Sequence, residues 1–416
     1  MKQIQTIPLL LACLLAIGTP GYTQNARTQK KQKPDLSIGI TPMRNDSLRT
    51  SLFHIGLLAR VRQLKGVGIS LVADVVQTDA KGLQVAGLAN LVGRNTNGVQ
   101  LAGVANVSGY DQCGLMVSGL VGVAGHQAAG ITTSGLVSVA GASFYGLVAS
   151  GLANVAADSY HGVAVAALGN VAAGSSTGLQ ASGLVGVIGS NLYGLQAASL
   201  LNVCGNRTYG MQVSGLANVG VHLYGIQLSA VANVAPESMR GLQAALFNYA
   251  GADARGLQLG LFNYAKDSHT RQLGLVNLKP TTQTQLILSG GSSMGGLVGV
   301  RFLNAHTYTQ LGVSLPYLDW NKHFGTAFSY RAGVHQPIGR RFRLSGDAGF
   351  AHIETFRADL PSLPARAYAL QLRIQAECQI AAHCALFAAG GYGWTRSYHG
   401  SSLTHKPLYE IGLILF

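Results

Sequence analysis

Glycine returns every sixteen residues through the middle of the chain, and no other feature constrains the fold as much. Gly66, Gly82, Gly98, Gly114, Gly130, Gly146, Gly162, Gly178, Gly194 and Gly210 keep the interval unbroken. Gly225, Gly241 and Gly256 follow at fifteen or sixteen, and Arg271 is read as the last slot. The fourteen units share G-L-Q-x-x-G-L-x-N-V and a variable tail, as in GVQLAGVANVS, GLQAALFNYA and GLQLGLFNYA. A short fixed period signals stacked supersecondary units, and this one is too short for helical repeats. Its Gly and Val content suits turns and strands rather than helix.

Two all-β architectures accommodate the period. In a β-solenoid each unit is one coil stacked on the next at ~4.8 Å, and fourteen coils make a rod of roughly 65 Å. Leu83, Val99, Leu115 and Ile131 then form one apolar column, and Leu88, Val104, Leu120 and Leu136 another. Asn90, Asn106, Asn154, Asn170, Asn202, Asn218, Asn233, Asn248 and Asn263 form an interrupted amide ladder of the cross-β kind. In the alternative, the repeats are strands of one large transmembrane β-barrel, with Gln and Asn turned toward a wet lumen. That barrel should alternate short and long loops and carry aromatic girdles. The repeats show neither through most of their length, so the solenoid is preferred.

After Pro280 the period stops, and aromatic and charged residues enter. Residues 281–416 read as a small antiparallel β-barrel of about eight strands: 283–290, 295–303, 307–317, 324–337, 341–356, 366–380, 384–396 and 407–416. AFSYRAGV sets Phe328, Tyr330, Ala332 and Val334 on one face. RFRLSGDAGF opposes Phe342, Leu344 and Phe350 to Arg341, Arg343 and Asp347. YALQLRIQAECQ opposes Leu370, Leu372 and Ile374 to Gln371, Arg373 and Gln375. This is the apolar-out, polar-in pattern of a small membrane barrel; a soluble β-barrel or sandwich shares the alternation. The terminal PLYEIGLILF resembles the closing strand of bacterial outer-membrane barrels, which ends in an aromatic residue. Tyr317, Trp320, Tyr392, Trp394 and Tyr398 fall near strand ends, where an interfacial belt wants them. Asp319, Glu354 and Glu410 are expected to face the barrel interior and pair with Arg.

The N-terminus, MKQIQTIPLLLACLLAIGTPGYTQN, has the positive start, apolar core and small residues of a secretory signal peptide over residues 1–23. LLAC at Leu10 to Cys13 also resembles a lipoprotein lipobox. Residues 24–49 read as a basic linker leading into a repeat domain over residues 50–280. The net charge of +14 divides as +8 over residues 1–65, +1 over 66–280 and +5 over 281–416. The repeats therefore lack the basic, aromatic-lined groove of a nucleic-acid protein. With 48% apolar and 11% charged residues, the chain is no disordered polymer. Cys113 and Cys204 are expected to be small buried hydrophobes. Cys378 and Cys384 flank QIAAH and either bridge across a hairpin, which export would permit, or stay free.

The repeated G-[LIVM]-Q-x-x-G-[LV]-x-N-V units over residues 66–280 resemble the LA_2272-type surface repeat of exported spirochaete and Bacteroidetes proteins. The resemblance implies an envelope or surface location and carries no activity, cofactor or catalytic residue. The Gln slot is lost at Met116, Thr132, Val148 and Ala164, and the Asn slot at Gly122, Ser138 and Gly186. A ligand held by those amides could not be held there.

Catalytic, metal and cofactor residues are not expected. His126, His161, His222 and His269 lie in the variable tails and read as solvated turn residues. GGSSMGG at 290–296 lacks the Lys-Ser/Thr of a phosphate loop and reads as a turn. The expected function is a non-enzymatic structural or binding protein of the outer envelope. Its barrel would sit in outer-membrane lipid, and its repeats would face an envelope polymer or protein. The alternative is a porin-like channel, should the repeats be barrel strands. A barrel that ends in the periplasm also begins there, which makes a preceding solenoid periplasmic; the surface repeat resemblance implies the opposite side.

Overall fold

The computed structural model describes residues 35–39, 50–267, 269–292, 294–314, 325–355, 366–398 and 403–416. Among them the fold is entirely β: a parallel solenoid of about fourteen turns, then a closed eight-stranded antiparallel barrel. The expected signal peptide with Cys13, Tyr317, Asp319 and Trp320 lie outside the described residues.

One turn explains the rest. Strand Thr96–Ala102 bends at Gly103 and Val104 into strand Ala105–Ser108, then through Gly109, Tyr110 and Asp111 into the next turn. Thr96, Gln100, Ala102, Asn106 and Ser108 point inward and are buried, while Val99, Leu101, Val104, Ala105 and Val107 face outward. The amides therefore line the interior and the aliphatic residues coat the exterior. The solenoid adopts the polar-in arrangement that the large-barrel alternative assigned to its lumen. It does not adopt that barrel: Gly98 pairs in parallel with Gly82 on one side and Gly114 on the other. The columns of Leu83 and Leu88 stack as expected, but both stand on the outer surface.

Stacking of identical turns makes glycine obligatory at a corner. Gly146 has φ +104°, and a Cβ there would lie 2.3 Å from the carbonyl oxygen of Gly130 in the turn beneath. Both the left-handed backbone and the close approach exclude a side chain. At the tail corner a side chain takes over the capping. Asp79 Oδ1 accepts from the Asn95 amide, Asn95 Oδ1 from the Asp111 N–H, and Asp111 Oδ1 from the Gln127 N–H. This explains why Asp, Asn and Ser recur in an otherwise variable segment.

Stacking begins earlier than the repeat count suggests. Thr50–Val61 pairs in parallel with Gln63–Val76, and Asp35–Gly39, inside the expected linker, pairs with Thr50–Val61. At the far end Arg271 pairs with Leu257, one position beyond the slot read for it; Thr270 precedes it in the glycine column's place.

The barrel strands are Gln283–Gly291, Met294–Leu303, Thr307–Ser314, Gly325–Ile338, Phe342–Thr355, Arg366–Ala381, Cys384–Ser397 and Leu403–Leu415. The first closes against the last through Leu288 opposite Leu413. One end carries the short connections 304–306, 339–341 and 382–383, together with the start of the first strand and Phe416. The other end carries the two-residue connection 292–293 and the longer connections 315–324, 356–365 and 398–402. The last solenoid turn joins the short-turn end. Thr309 Oγ1 donates to Leu275 O (3.2 Å), Tyr330 Oη donates to Gly274 O (3.1 Å), and Asn277 Nδ2 donates to Thr309 Oγ1 (3.2 Å).

Gly146→Ala is expected to destabilise the solenoid by about 2 kcal/mol or more, from left-handed strain plus the carbonyl clash. Ala149→Gly, on the outer surface of the same strand, should cost no more than about 1 kcal/mol. Equal losses in urea unfolding would refute the corner assignment.

Candidate functional site

The polar groups of this protein collect in two interiors. Inside the solenoid two amide ladders run along the axis. Gln196, Gln212, Gln227, Gln243, Gln258 and Gln272 each donate Nε2 to the Oε1 of the Gln one turn earlier, at 2.8–2.9 Å. Asn202, Asn218, Asn233, Asn248 and Asn263 donate Nδ2 to the Oδ1 of the Asn one turn later, at 2.8–3.2 Å. The two ladders thus point in opposite directions, and their aligned dipoles oppose one another. Each Asn also gives a hydrogen to the carbonyl before the next bend, as Asn202 does to Val213 O at 2.7 Å. The expected Asn ladder is present at Asn90, Asn106, Asn154, Asn170, Asn202, Asn218, Asn233, Asn248 and Asn263. All are buried, so they are structural neighbours of one another.

The breaks in the ladders are filled by apolar volume. Where the Gln slot shrinks to Val148 and Ala164, the same turns place Phe144 and Tyr160 inward, and all four join one core cluster. Burial pushes the Tyr160 phenol well above its ordinary pKa, and its hydroxyl donates to Val171 O. Gly122 leaves room for the Met116 sulfur. The orphaned amide atoms fall at the ends of the runs: Gln180 Nε2, Asn202 Oδ1 and Gln272 Oε1 have no partner. Asn277 ends the Asn run by donating to Thr309 of the barrel.

The N-terminal end of both ladders is ionisable, which the sequence reading missed. His54 stands in the Gln column and Asp74 in the Asn column, through the register His54–Gly68–Gln84 and Asp74–Asn90. Ser51 Oγ lies 3.1 Å from His54 Nδ1, and Asp74 Oδ2 lies 3.0 Å from His54 Nε2. Gly68 makes room for the imidazole: a Cβ there would lie 2.6 Å from its ring. The three residue types match a nucleophilic triad, but all three side chains are buried, Ser51 at 4% exposure. A nucleophile needs a substrate within contact distance, so this cluster acts as the first rung of the ladders. Asp74 stands sixteen residues before Asn90, but His54 lies only fourteen before Gly68, past a break in the register, so the repeat's period does not lead to it.

The barrel interior holds the second set. Arg301 makes a two-pronged pair with Glu377 (2.6 and 3.1 Å), which Arg343 joins at 3.0 Å. Arg373 forks onto Asp347 (2.8 and 3.1 Å) and also meets Glu410, which Arg331 reaches at 3.0 Å. Tyr308 Oη donates to Asp347 Oδ2, and Ser289 Oγ to Glu410 Oε1. Charged hydrogen bonds of this kind satisfy carboxylates that burial alone would disfavour. Eight strands leave a lumen just wide enough for side chains, and here those side chains fill it. Glu410 behaves as expected. Glu354 does not: it shares the outward face of its strand with Phe350 and His352, and pairs with Arg366 at the exposed rim. Arg341 sits in the turn rather than inside.

The cysteines need correction. Cys378 and Cys384 form no disulfide, because the hairpin register sets Cys378 opposite Leu386 and Cys384 opposite Ala381. Cys113 is exposed, outside the turn, whereas Cys204 is buried as expected. The tail histidines engage neighbouring residues: His126 bonds Asp111 and stacks on Tyr110, His161 stacks on Tyr145, His222 bonds Ser238 and His269 bonds Asp267. Among the described residues no His, Cys, Asp and Glu cluster could hold a metal ion.

No family model matches the chain, and no curated protein matches it. Among solved structures, the N-terminal β-barrel domain of OprF from Pseudomonas aeruginosa is similar over 32% of this chain and 98% of its own, at 15% identity and a TM-score of 0.26. Outer membrane protein H (OprH) of P. aeruginosa, solved in DHPC micelles, is similar over the same shares at 13% identity and a TM-score of 0.25.

Two substitutions test the ladders. Gln212→Ala orphans Gln196 Oε1 and Gln227 Nε2 and should cost roughly 2–5 kcal/mol; Gln272→Ala, at the end of the run, should cost roughly half that. Equal costs in equilibrium unfolding would mean the amides act singly. Asp74 Oδ1 and Asn90 Oδ1 are both unpartnered on adjacent turns. Asp74→Asn would let a new amide donate to Asn90 while its oxygen keeps His54. It should raise the thermal midpoint, by the equivalent of about 1 kcal/mol. A lowered midpoint would show that the charge itself is needed.

Proposed function

We propose that this chain is an outer-envelope protein held in the outer membrane by its C-terminal barrel, with the solenoid as a non-enzymatic structural or binding element. The observation that carries the reading is the inversion of the barrel. Val298, Phe328, Val334, Leu372, Ile374 and Ile411 are exposed on its outside, while Arg301, Arg331, Arg373, Asp347, Glu377 and Glu410 are buried within. A barrel surrounded by water gains nothing from exposing the first set and desolvating the second. A barrel surrounded by hydrocarbon requires it. Tyr392 packs edge-on against Trp394, and Tyr368 packs at a tilt against Tyr398, toward the end with longer connections, as an interfacial belt would.

Short turns and both chain ends of such barrels face the periplasm, and longer loops face outward. Since the solenoid joins the short-turn end, the reading puts it on the periplasmic side, against the surface location that the repeat resemblance implies. Its partners there would be lipid and an envelope polymer or protein. The porin-like alternative loses its basis, because the repeats are turns of a solenoid and the eight-stranded lumen is filled.

Full-length protein reconstituted into planar bilayers should show no porin-sized conductance, because its lumen is closed by ion pairs. Regular porin-sized steps would overturn the anchor reading in favour of a channel.

A further inference from the structure

The solenoid is amphipathic around its circumference. Between Gly66 and Thr270 every Lys, Arg, Asp and Glu except buried Asp74 falls in the four positions ahead of the repeat's first glycine. All charge therefore lies along one edge. On another edge runs an unbroken aliphatic ridge, one residue per turn from Leu88 to Leu261, each Leu or Val and each 37–51% exposed. Backbone hydrogen bonds link its successive members from Leu88 to Val231, as Leu136 N to Leu120 O at 2.9 Å. A continuous apolar surface of this length marks a contact with something apolar.

The junction indicates what that is. The ridge's next member, Leu275, is the one the barrel partly covers: Thr309 bonds its carbonyl, and Tyr330 bonds that of the preceding Gly274. Thr309 shares its strand face with exposed Val313, and Tyr330 with exposed Phe328 and Val334, so both belong to the outer wall. The ridge thus runs directly into the surface that the barrel presents to lipid. Near this junction the repeats enlarge their outer residues. Phe247 stacks on Phe262 at 5.0 Å and Tyr249 on Tyr264 at 5.6 Å, and with Val234 and Leu278 they line a groove of about 240 Å³. Exposed aromatic rings of this kind are typical of a membrane interface.

We infer that the ridge is a lipid-contacting edge: the solenoid rests its aliphatic side on the hydrocarbon of the leaflet into which the barrel's short-turn end is set, and turns its charged edge to water. This rests on the barrel being the membrane anchor. The test uses the full chain with Cys13, Cys113, Cys204, Cys378 and Cys384 replaced by Ser, refolded into vesicles containing brominated phosphatidylcholine. A bimane label is attached at one of Leu136→Cys, Leu184→Cys, Ala142→Cys, Ser190→Cys or Ile374→Cys. Labels at 136 and 184 should lose most of their fluorescence to the bromines, as the barrel label at 374 does, while those at 142 and 190 keep theirs. Quenching at 374 but not at 136 and 184 overturns the lipid-contacting edge and leaves the anchor standing. No quenching at 374 overturns the anchor and the edge with it. Unquenched labels at 136 and 184, together with a disulfide between two chains formed by the unlabelled Leu136→Cys or Leu184→Cys protein under a mild oxidant, would assign the ridge to a second copy instead.

Discussion

The in-register stacking of identical turns at one strand spacing is the constraint on which the structure depends. It forces the backbone of each turn to within contact of the next, which admits only glycine at Gly146 and its column. It also sets like side chains above one another. For Gln and Asn that repetition is favourable, because an amide is donor and acceptor at once and can bond to copies of itself without limit. Chains of such bonds polarise one another in a low-dielectric interior. A column of carboxylates has no equivalent, because an ionised carboxylate only accepts. The opposed polarity of the two ladders has a further consequence: Gln donates toward the N-terminus and Asn toward the C-terminus, so neither end accumulates a large uncompensated dipole.

A ladder that satisfies itself still has ends, and the ends decide how the solenoid joins its surroundings. At the C-terminal end Asn277 hands its hydrogen to Thr309, so the barrel wall completes the Asn run. At the N-terminal end His54 and Asp74 replace the amides, with Ser51 closing the far side of the imidazole. Both solutions place a group of different chemistry where the repetition stops. The mid-chain break at Phe144 and Tyr160 follows the same logic in apolar form: volume lost at Val148 and Ala164 is restored in the same turn from the opposite wall.

Much of this was legible in the sequence because period and alternation are geometric. A sixteen-residue glycine spacing implies sixteen-residue turns, and the eight barrel strands follow from the alternation of Leu370, Leu372 and Ile374 with Gln371, Arg373 and Gln375. Less legible was which side of the coil faces inward. Apolar columns of Leu88 and Val104 are expected to be core by the ordinary rule of burial, and that rule fails here because the alternation turns Gln100, Ala102, Asn106 and Ser108 inward and leaves Val104 at an outward bend. Hidden too were His54 and Asp74, since a slot occupied once by an unlike residue leaves no repeat to recognise. Whether Cys378 and Cys384 bridge or stay free was left open because a hairpin's register depends on its turn: Cys378 lies across from Leu386, two rungs from Cys384, and both thiols are free.

The two domains solve one problem in the same way. The barrel buries Arg301, Arg331 and Arg373 against Glu377, Glu410 and Asp347, and the solenoid buries amide against amide, while both present Leu, Val, Ile and Phe outward. In water this arrangement gives up the main driving force for folding, the removal of apolar surface. Each domain is then stabilised chiefly by bonds within its polar interior, by backbone ladders and by whatever covers its outside. On the proposed membrane reading, hydrocarbon covers the barrel's closed wall completely. The solenoid's charged edge needs water, so on the same reading its cover is only partial, and an apolar phase bounded by water meets both requirements at once.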